Sequence, residues 1–104
     1  MFARTVRMQL KPNSVAQFTE TMEKDVIPLL RKQPGFKDEV TLLPADGTSE
    51  VVAISFWEKR ENADAYQHGA YPEVLKAVAK VADGTPRVQT SEVSNATWLK
   101  IAAR

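Results

Sequence analysis

Hydrophobic positions change period along this chain, and each change marks an element. From Phe2 to Leu10, the residues Phe2, Val6, Met8 and Leu10 share one side of an alternating pattern, with Ala3, Thr5, Arg7 and Gln9 on the other. That alternation predicts a strand, and its apolar side also carries Arg4. Pro12 ends it. Ser14-Val15-Ala16-Gln17 has the form of a capping box, in which hydroxyl and amide satisfy each other's orphan backbone donors, so a helix is expected to start there. Val15, Phe18, Met22, Val26, Leu29 and Leu30 then recur at spacings of three and four, a core-facing stripe, while Glu20, Glu23 and Lys24 lie off it. Pro28 removes a backbone donor within this run and crowds the carbonyl four residues earlier, which predicts a bend or break near Ile27. Gln33-Pro34-Gly35 ends the helix.

Phe36 to Leu43 and Glu50 to Trp57 are β-prone runs joined by a loop whose Asp46-Gly47 supplies the positive φ of a reversal, so they predict a hairpin. The second run, Val51 to Trp57, is apolar on both faces, as in a strand covered from both sides. Two helices cover one face of a small sheet, and a homodimer is the economical cover for the other. From Arg60 a helical pattern returns with Ala63, Tyr66 and Ala70. Tyr71-Pro72 divides it into two short helices, the second carrying Val74, Leu75, Val78, Val81 and Ala82 up to Asp83-Gly84-Thr85-Pro86. A last β-prone stretch, Arg87 to Ile101, with Val88, Thr90, Val93, Thr97 and Trp98, exceeds a typical strand and suggests a crossing to a neighbour. The order β-α-β-β-α-β gives an α+β fold, the ferredoxin-like plait, with one antiparallel sheet and both helices on one face.

Composition narrows the function classes. A chain of 104 residues suffices for one core, so a single domain over residues 1–104 is expected. The 14 Lys+Arg against 13 Asp+Glu leave a formal charge of +1, which gives no electrostatic footprint for nucleic acid or a membrane surface. No apolar run is long enough to span a bilayer, and Arg4 and Arg7 interrupt any leader-like segment, so a cytoplasmic location is expected. One histidine and no cysteine do not build a typical zinc or iron site, and no metal is expected. Neither a glycine-rich phosphate loop nor a nucleophile elbow occurs in the sequence.

Ser55-Phe56-Trp57-Glu58 followed by Tyr66, and then His68-Gly69-Ala70-Tyr71-Pro72-Glu73-Val74-Leu75, resembles the antibiotic-biosynthesis-monooxygenase family of the dimeric α+β barrel superfamily. So does Ile27-Pro28-Leu29-Leu30 leading into Gln33-Pro34-Gly35-Phe36. The resemblance spans nearly the whole chain and implies a homodimeric α+β barrel. The superfamily includes cofactor-independent oxygenases of aromatic polyketides, quinol-forming oxygenases and haem-degrading enzymes, so fold alone does not choose among them. The haem-degrading branch is similar in having a Trp and a His on its second helix and an Asn on strand one. Here those helix positions hold Tyr66 and Lys76, and Phe2 to Leu10 contains no Asn, which argues against haem degradation. The polyketide branch uses Asn, Trp and Tyr around an apolar pocket, and Asn62, Trp57, Tyr66 and Tyr71 occur together here.

The resemblance therefore implies a cofactor-independent monooxygenase acting on a small hydroxylated aromatic or quinol-type ligand, with no bound cofactor. The substrate loses a proton, and its electron-rich anion reacts with oxygen directly. His68 is the natural proton acceptor, because its ordinary pKa lies near working pH. Tyr66 is the second catalytic candidate, Trp57 and Tyr71 line the pocket with it, and Arg4 pairs with the anion. Each residue also has a plainer role: His68 as an exposed helix end, Trp57 as core or dimer interface, Tyr71 as the pin of the helix break. Arg4 equally suits an ion pair with Asp38, Glu39 or Glu92, and Asn62 suits the cap of a helix starting near Ala63. The alternative function is a non-catalytic homodimer that binds a small ligand or serves as a structural module.

Overall fold

A computed structural model of the chain describes residues 1–46 and 48–97. Its strands are β1 (Phe2–Gln9), β2 (Phe36–Leu42), β3 (Glu50–Trp57) and β4 (Arg87–Glu92), and its helices are α1 (Val15–Thr21), α2 (Ile27–Arg31), α3 (Arg60–His68) and α4 (Tyr71–Val78). The strands form one antiparallel sheet in the order β2-β3-β1-β4, which is the expected ferredoxin-like plait.

Register decides what each face of the sheet presents. Phe2, Arg4, Val6 and Met8 of β1 stand opposite Trp57, Ser55, Ala53 and Val51 of β3, and this set faces the helices. The opposite face carries Val52 and Ile54 of β3. A bulge between Phe36 and Asp38 advances β2 by one residue, so that Glu39 and Thr41 pair with Ser55 and Ala53 on the helix side. Val40 and Leu42 turn to the other face, where they are 40% and 49% exposed. Without that extra residue the alternation would have sent Val40 inward and Glu39 out.

The first helical rod is interrupted near Ile27, as expected. Between α1 and α2, residues Met22–Val26 form a π turn, and Pro28 sits in the first turn of α2. The strain expected at Ile27 is thus absorbed upstream, because a wider turn frees the carbonyls that the proline ring would crowd and cannot bond. Phe18, Met22, Val26 and Leu30 remain buried along one stripe, whereas Val15 at its start is 42% exposed. The expected capping box at Ser14 does not form. Asn13 takes a φ of 60° and leaves Ser14 at φ −108°, ψ 3°, outside the extended conformation an N-cap needs, and its hydroxyl donates back to the Pro12 carbonyl.

The second helical region divides before Tyr71 as expected. Helix α4 stops at Val78, four residues short of Ala82, because the chain there joins the end of β1: Lys11 N–H bonds the Val81 carbonyl and Asp83 N–H the Gln9 carbonyl. Strand β4 ends at Glu92 rather than continuing through Thr97, its last ladder bond being Val93 N–H to the Met1 carbonyl. Trp98 and Ile101, assigned to that strand by the sequence, and Gly47, assigned to the hairpin turn, lie outside the described residues. Among the described residues no helix is long and apolar enough to cross a membrane.

Trp57 is the centre of the packing. It is fully buried, its indole N–H donates to Ser55 Oγ at 2.9 Å, Phe36 meets it edge-on at 5.6 Å, and Tyr66 stacks on it at 5.0 Å. Truncating so large a side chain leaves a cavity as well as losing its transfer energy. Trp57→Ala is expected to lower the unfolding free energy by about 3–5 kcal/mol, read from guanidinium denaturation at unchanged m-value.

Candidate functional site

A narrow cavity of about 50 Å³ lies between the helix-facing side of the sheet and the helices. Val6, Met8, Val51 and Ala53 form its floor, and Phe18, Met22, Val26, Leu30, Val74 and Val78 its roof. Its polar lining is Arg4, Glu39, Ser55, Tyr66 and Tyr71, with Glu39 and Arg4 at the two ends of a row that has Ser55 between them.

The fold brings these five together from separate elements. Glu39, Ser55 and Arg4 occupy one cross-strand row over β2, β3 and β1. Tyr66 lies three residues after Ala63 on the buried face of α3. The interruption at Gly69-Ala70 redirects the chain so that Tyr71, first residue of α4 and followed by Pro72, points back at the same place. Its ring centroid lies 5.8 Å from that of Tyr66.

Arg4 is 2% exposed. Its guanidinium carbon sits 3.9 Å from the Tyr71 ring centroid and 5.1 Å from that of Tyr66, and an N–H donates to Gln67 Oε1. Among the described residues no carboxylate pairs with it. Each of the three acids considered from sequence is held away: Asp38 faces the other side opposite Phe56, Glu39 lies two strands over with Ser55 between, and Glu92 stands opposite Phe2. Burial pushes the guanidinium below its ordinary value, and the two tyrosines partly offset that. Burial likewise drives the Tyr66 hydroxyl up to about 12, against the pull of Arg4 and with help from the Glu39 charge. The half-buried Glu39 carboxyl is also raised by burial, and the Thr41 hydroxyl, which donates to it at 2.7 Å, opposes the shift.

Of the sequence candidates, the structure brings Arg4, Tyr66 and Tyr71 to the cavity wall and places Trp57 behind Tyr66 as its stacking partner. Asn62 is elsewhere. Its Oδ1 accepts the Lys59 N–H at 3.2 Å, so it braces the start of α3 at Arg60 from inside the helix rather than preceding one at Ala63. It also packs on Gly35, where a Cβ would fall 2.2 Å from Asn62 Cγ and φ is +78°. His68 is exposed at the end of α3, donates from Nδ1 to the Asp64 carbonyl at 2.8 Å, and is not part of the cavity wall. Glu39 was legible only as an ion-pair partner; its place in the cavity follows from a bulge that no residue pattern announces.

A cavity at this position, in this strand order, invites comparison with known proteins. The family model described as antibiotic biosynthesis monooxygenase matches residues 1–82. The chain belongs to that family. Among solved structures it is similar to a proposed antibiotic biosynthesis monooxygenase of Bordetella bronchiseptica, with a TM-score of 0.77 at 17% identity over 90% of this chain and 97% of that one. SnoaB, a cofactor-independent oxygenase from Streptomyces nogalater, superposes with a TM-score of 0.74 at 15% identity, covering 92% and 95%. A protein of unknown function from Nitrosomonas europaea gives 0.75 at 21%, covering 92% and 91%. At these identities the likeness shows the fold. No curated protein matches the sequence.

For this member of the antibiotic biosynthesis monooxygenase family, Tyr66 offers a direct electrostatic test. Its neutral form is favoured in the folded chain, so the stabilisation it gives is complete below the unfolded value of 10 and is lost as pH rises towards about 12. The unfolding free energy is expected to fall across that window, and Tyr66→Phe to remove this part of the fall. Alkaline titration of the phenolate absorbance, run beside denaturation at each pH, checks both.

Proposed function

We propose that this chain is a cofactor-independent oxygenase of small hydroxylated aromatics that works in the cytoplasm as a homodimer. The observation that carries the proposal is Arg4, a buried cation with aromatic faces around it and no carboxylate partner among the described residues. A buried charge without a counter-ion is costly, and a phenolate in the cavity would supply one. Family membership supports the same chemistry, as does the fold shared with SnoaB.

In this reading the aromatic ring lies against Val6, Met8, Val51 and Ala53, with its oxygen towards Arg4, Tyr66 and Tyr71. Arg4 stabilises the anion, and the tyrosine hydroxyls donate to it where little water competes. Oxygen then adds to the electron-rich ring carbon. When the O–O bond breaks, one oxygen stays as a quinone carbonyl and the other leaves as water with the hydrogens lost from ring C–H and O–H, so the substrate supplies all the electrons. The cavity of about 50 Å³ is smaller than the ~150 Å³ that holds a benzene ring. Admission of a single ring therefore requires the lining to give way, and Met8 and Met22, unbranched and adaptable, are the lining side chains best suited to do so. That narrowness, with His68 outside, favours the second reading, a ligand-binding dimer without catalysis.

The homodimer rests on the sheet face opposite the helices. Ile54 lies there between Val40 of β2 and Thr5 of β1, and Val52 between Leu42 of β2 and Arg7 of β1, a largely apolar patch edged by the Arg7 charge that a second copy of the same face would bury.

Purified protein is expected to consume oxygen above the spontaneous rate with naphthohydroquinones, anthrones or catechols. Arg4→Met and Tyr66→Phe should each lower kcat/KM by about 10²–10³-fold, the loss typical of one anion-stabilising donor, while His68→Ala changes little. Binding without uptake by any member of the panel would favour the ligand-binding dimer instead. Sedimentation at micromolar concentration should show a dimer that Ile54→Lys dissociates. A stable wild-type monomer would refute the interface.

A further inference from the structure

Among the described residues Glu39 is the one acid on the cavity wall, and it borders a second space as well. A groove of about 250 Å³ runs along the edge of β2, lined by Thr19, Met22, Glu23, Glu39 and Thr41 among others. Met22 and Glu39 belong to both walls and so form the partition between the interior cavity and this surface groove. The carboxylate shares its cross-strand row with Ser55 and Arg4, and Thr41 is its hydrogen-bond partner among the described residues. Ser55 Oγ between them accepts the Trp57 indole N–H, which fixes its position.

We propose that Glu39 is the catalytic proton acceptor of this site, taking the hydroxyl proton of an aromatic substrate whose oxygen rests at Arg4. The inference rests on the oxygenase reading and supplies the base that His68, out in solvent, does not. The substrate O–H bond breaks, the electron pair stays on the ring oxygen, and the proton forms an O–H bond on the Glu39 carboxyl. No electrons change owner in this step. Once oxygen has added to the ring carbon, the same proton goes to the departing oxygen as the O–O bond breaks, and Glu39 is a carboxylate again. A base must sit near the proton it takes and have a proton affinity suited to the working pH, and the burial that raises Glu39 moves it in that direction. The charged and titratable groups around it are Arg4 of β1, Tyr66 of α3 and Tyr71 of α4 on the cavity side, and Glu23 of the π turn in the groove. A phenolate held at Arg4 adds a further negative charge, which favours the protonated carboxyl.

The proton count on binding tests this without depending on turnover. 4-Nitrophenol, titrated as its phenolate into the intact protein in buffers of differing ionisation enthalpy, should bring about one proton from solution onto the wild-type protein per ligand bound. Glu39→Gln should bind the same probe with no proton uptake, and Glu39→Asp should restore it. Thr41→Val, which removes the hydroxyl opposing the shift, should move the midpoint of uptake to higher pH. With an oxidisable hydroquinone, Glu39→Gln should lower kcat by about 10²–10⁴-fold and abolish the acid limb of the pH profile, which a packing role would leave in place. Equal uptake by wild type and Glu39→Gln, or a midpoint that Thr41→Val does not move, overturns the role of Glu39. Failure of every chain to bind the probe overturns the aromatic-cavity reading itself and this role with it. Binding with proton uptake but no oxygen consumption overturns the oxygenase reading and the catalytic role with it, and leaves Glu39 only as the group that takes up a proton when a phenolate binds.

Discussion

A guanidinium in the middle of a sheet's apolar face constrains everything packed above it. Arg4 cannot shed its charge at ordinary pH, and a charge in so dry a place must be met by dipoles, ring faces or a counter-ion. The fold meets it with the faces of Tyr66 and Tyr71 and the amide oxygen of Gln67. That solution needs two helices arriving from different directions, and the interruption after His68 allows it. It also needs Tyr66 held in place, which stacking on the fully buried Trp57 accomplishes. Candidate chemistry and core packing are one arrangement here.

Much of this fold could be read from the residues because its signals are local. Alternation in β1, the three-and-four spacing from Phe18 to Leu30, and the breaks at Pro34-Gly35 and Tyr71-Pro72 each act within a few residues, and each element stands where its pattern puts it. Of the candidate site, Arg4, Tyr66 and Tyr71 were legible for the same reason: a charge on an apolar strand face and aromatics on an inward helix face are visible as exceptions or repeats. What escaped depends on geometry between elements. The bulge after Phe36 inverts the facing of β2 and sends Glu39 inward, and only pairing with β3 reveals it. Asn13 in the left-handed region spoils the cap that Ser14 and Gln17 advertise. His68 drew notice as the sole histidine, yet a position two residues beyond an inward Tyr66 turns away from the core.

The two sheet faces divide the labour. Helices close one over a cavity whose roof and floor each hold a methionine, and the other carries Val40, Leu42, Val52 and Ile54 beside the charged Arg7 and Asp38. Strand β3 belongs to both, with Val51, Ala53, Ser55 and Trp57 on one side and Val52 and Ile54 on the other, which explains why it reads as apolar throughout. A change in this strand acts on the cavity wall and on the opposite face together.

The π turn at Met22–Val26 carries a lesson for sequence alignment. Such a turn holds one residue more than the α-helix it interrupts, and each residue turns a helix by about 100°. A relative lacking that residue would keep a regular helix, and a gap placed after Arg31 instead of within 22–26 would then misassign every position from the turn to Arg31. Leu30 would be matched with a residue that faces solvent, and the apparent loss of a cavity-lining side chain would be an artefact of counting.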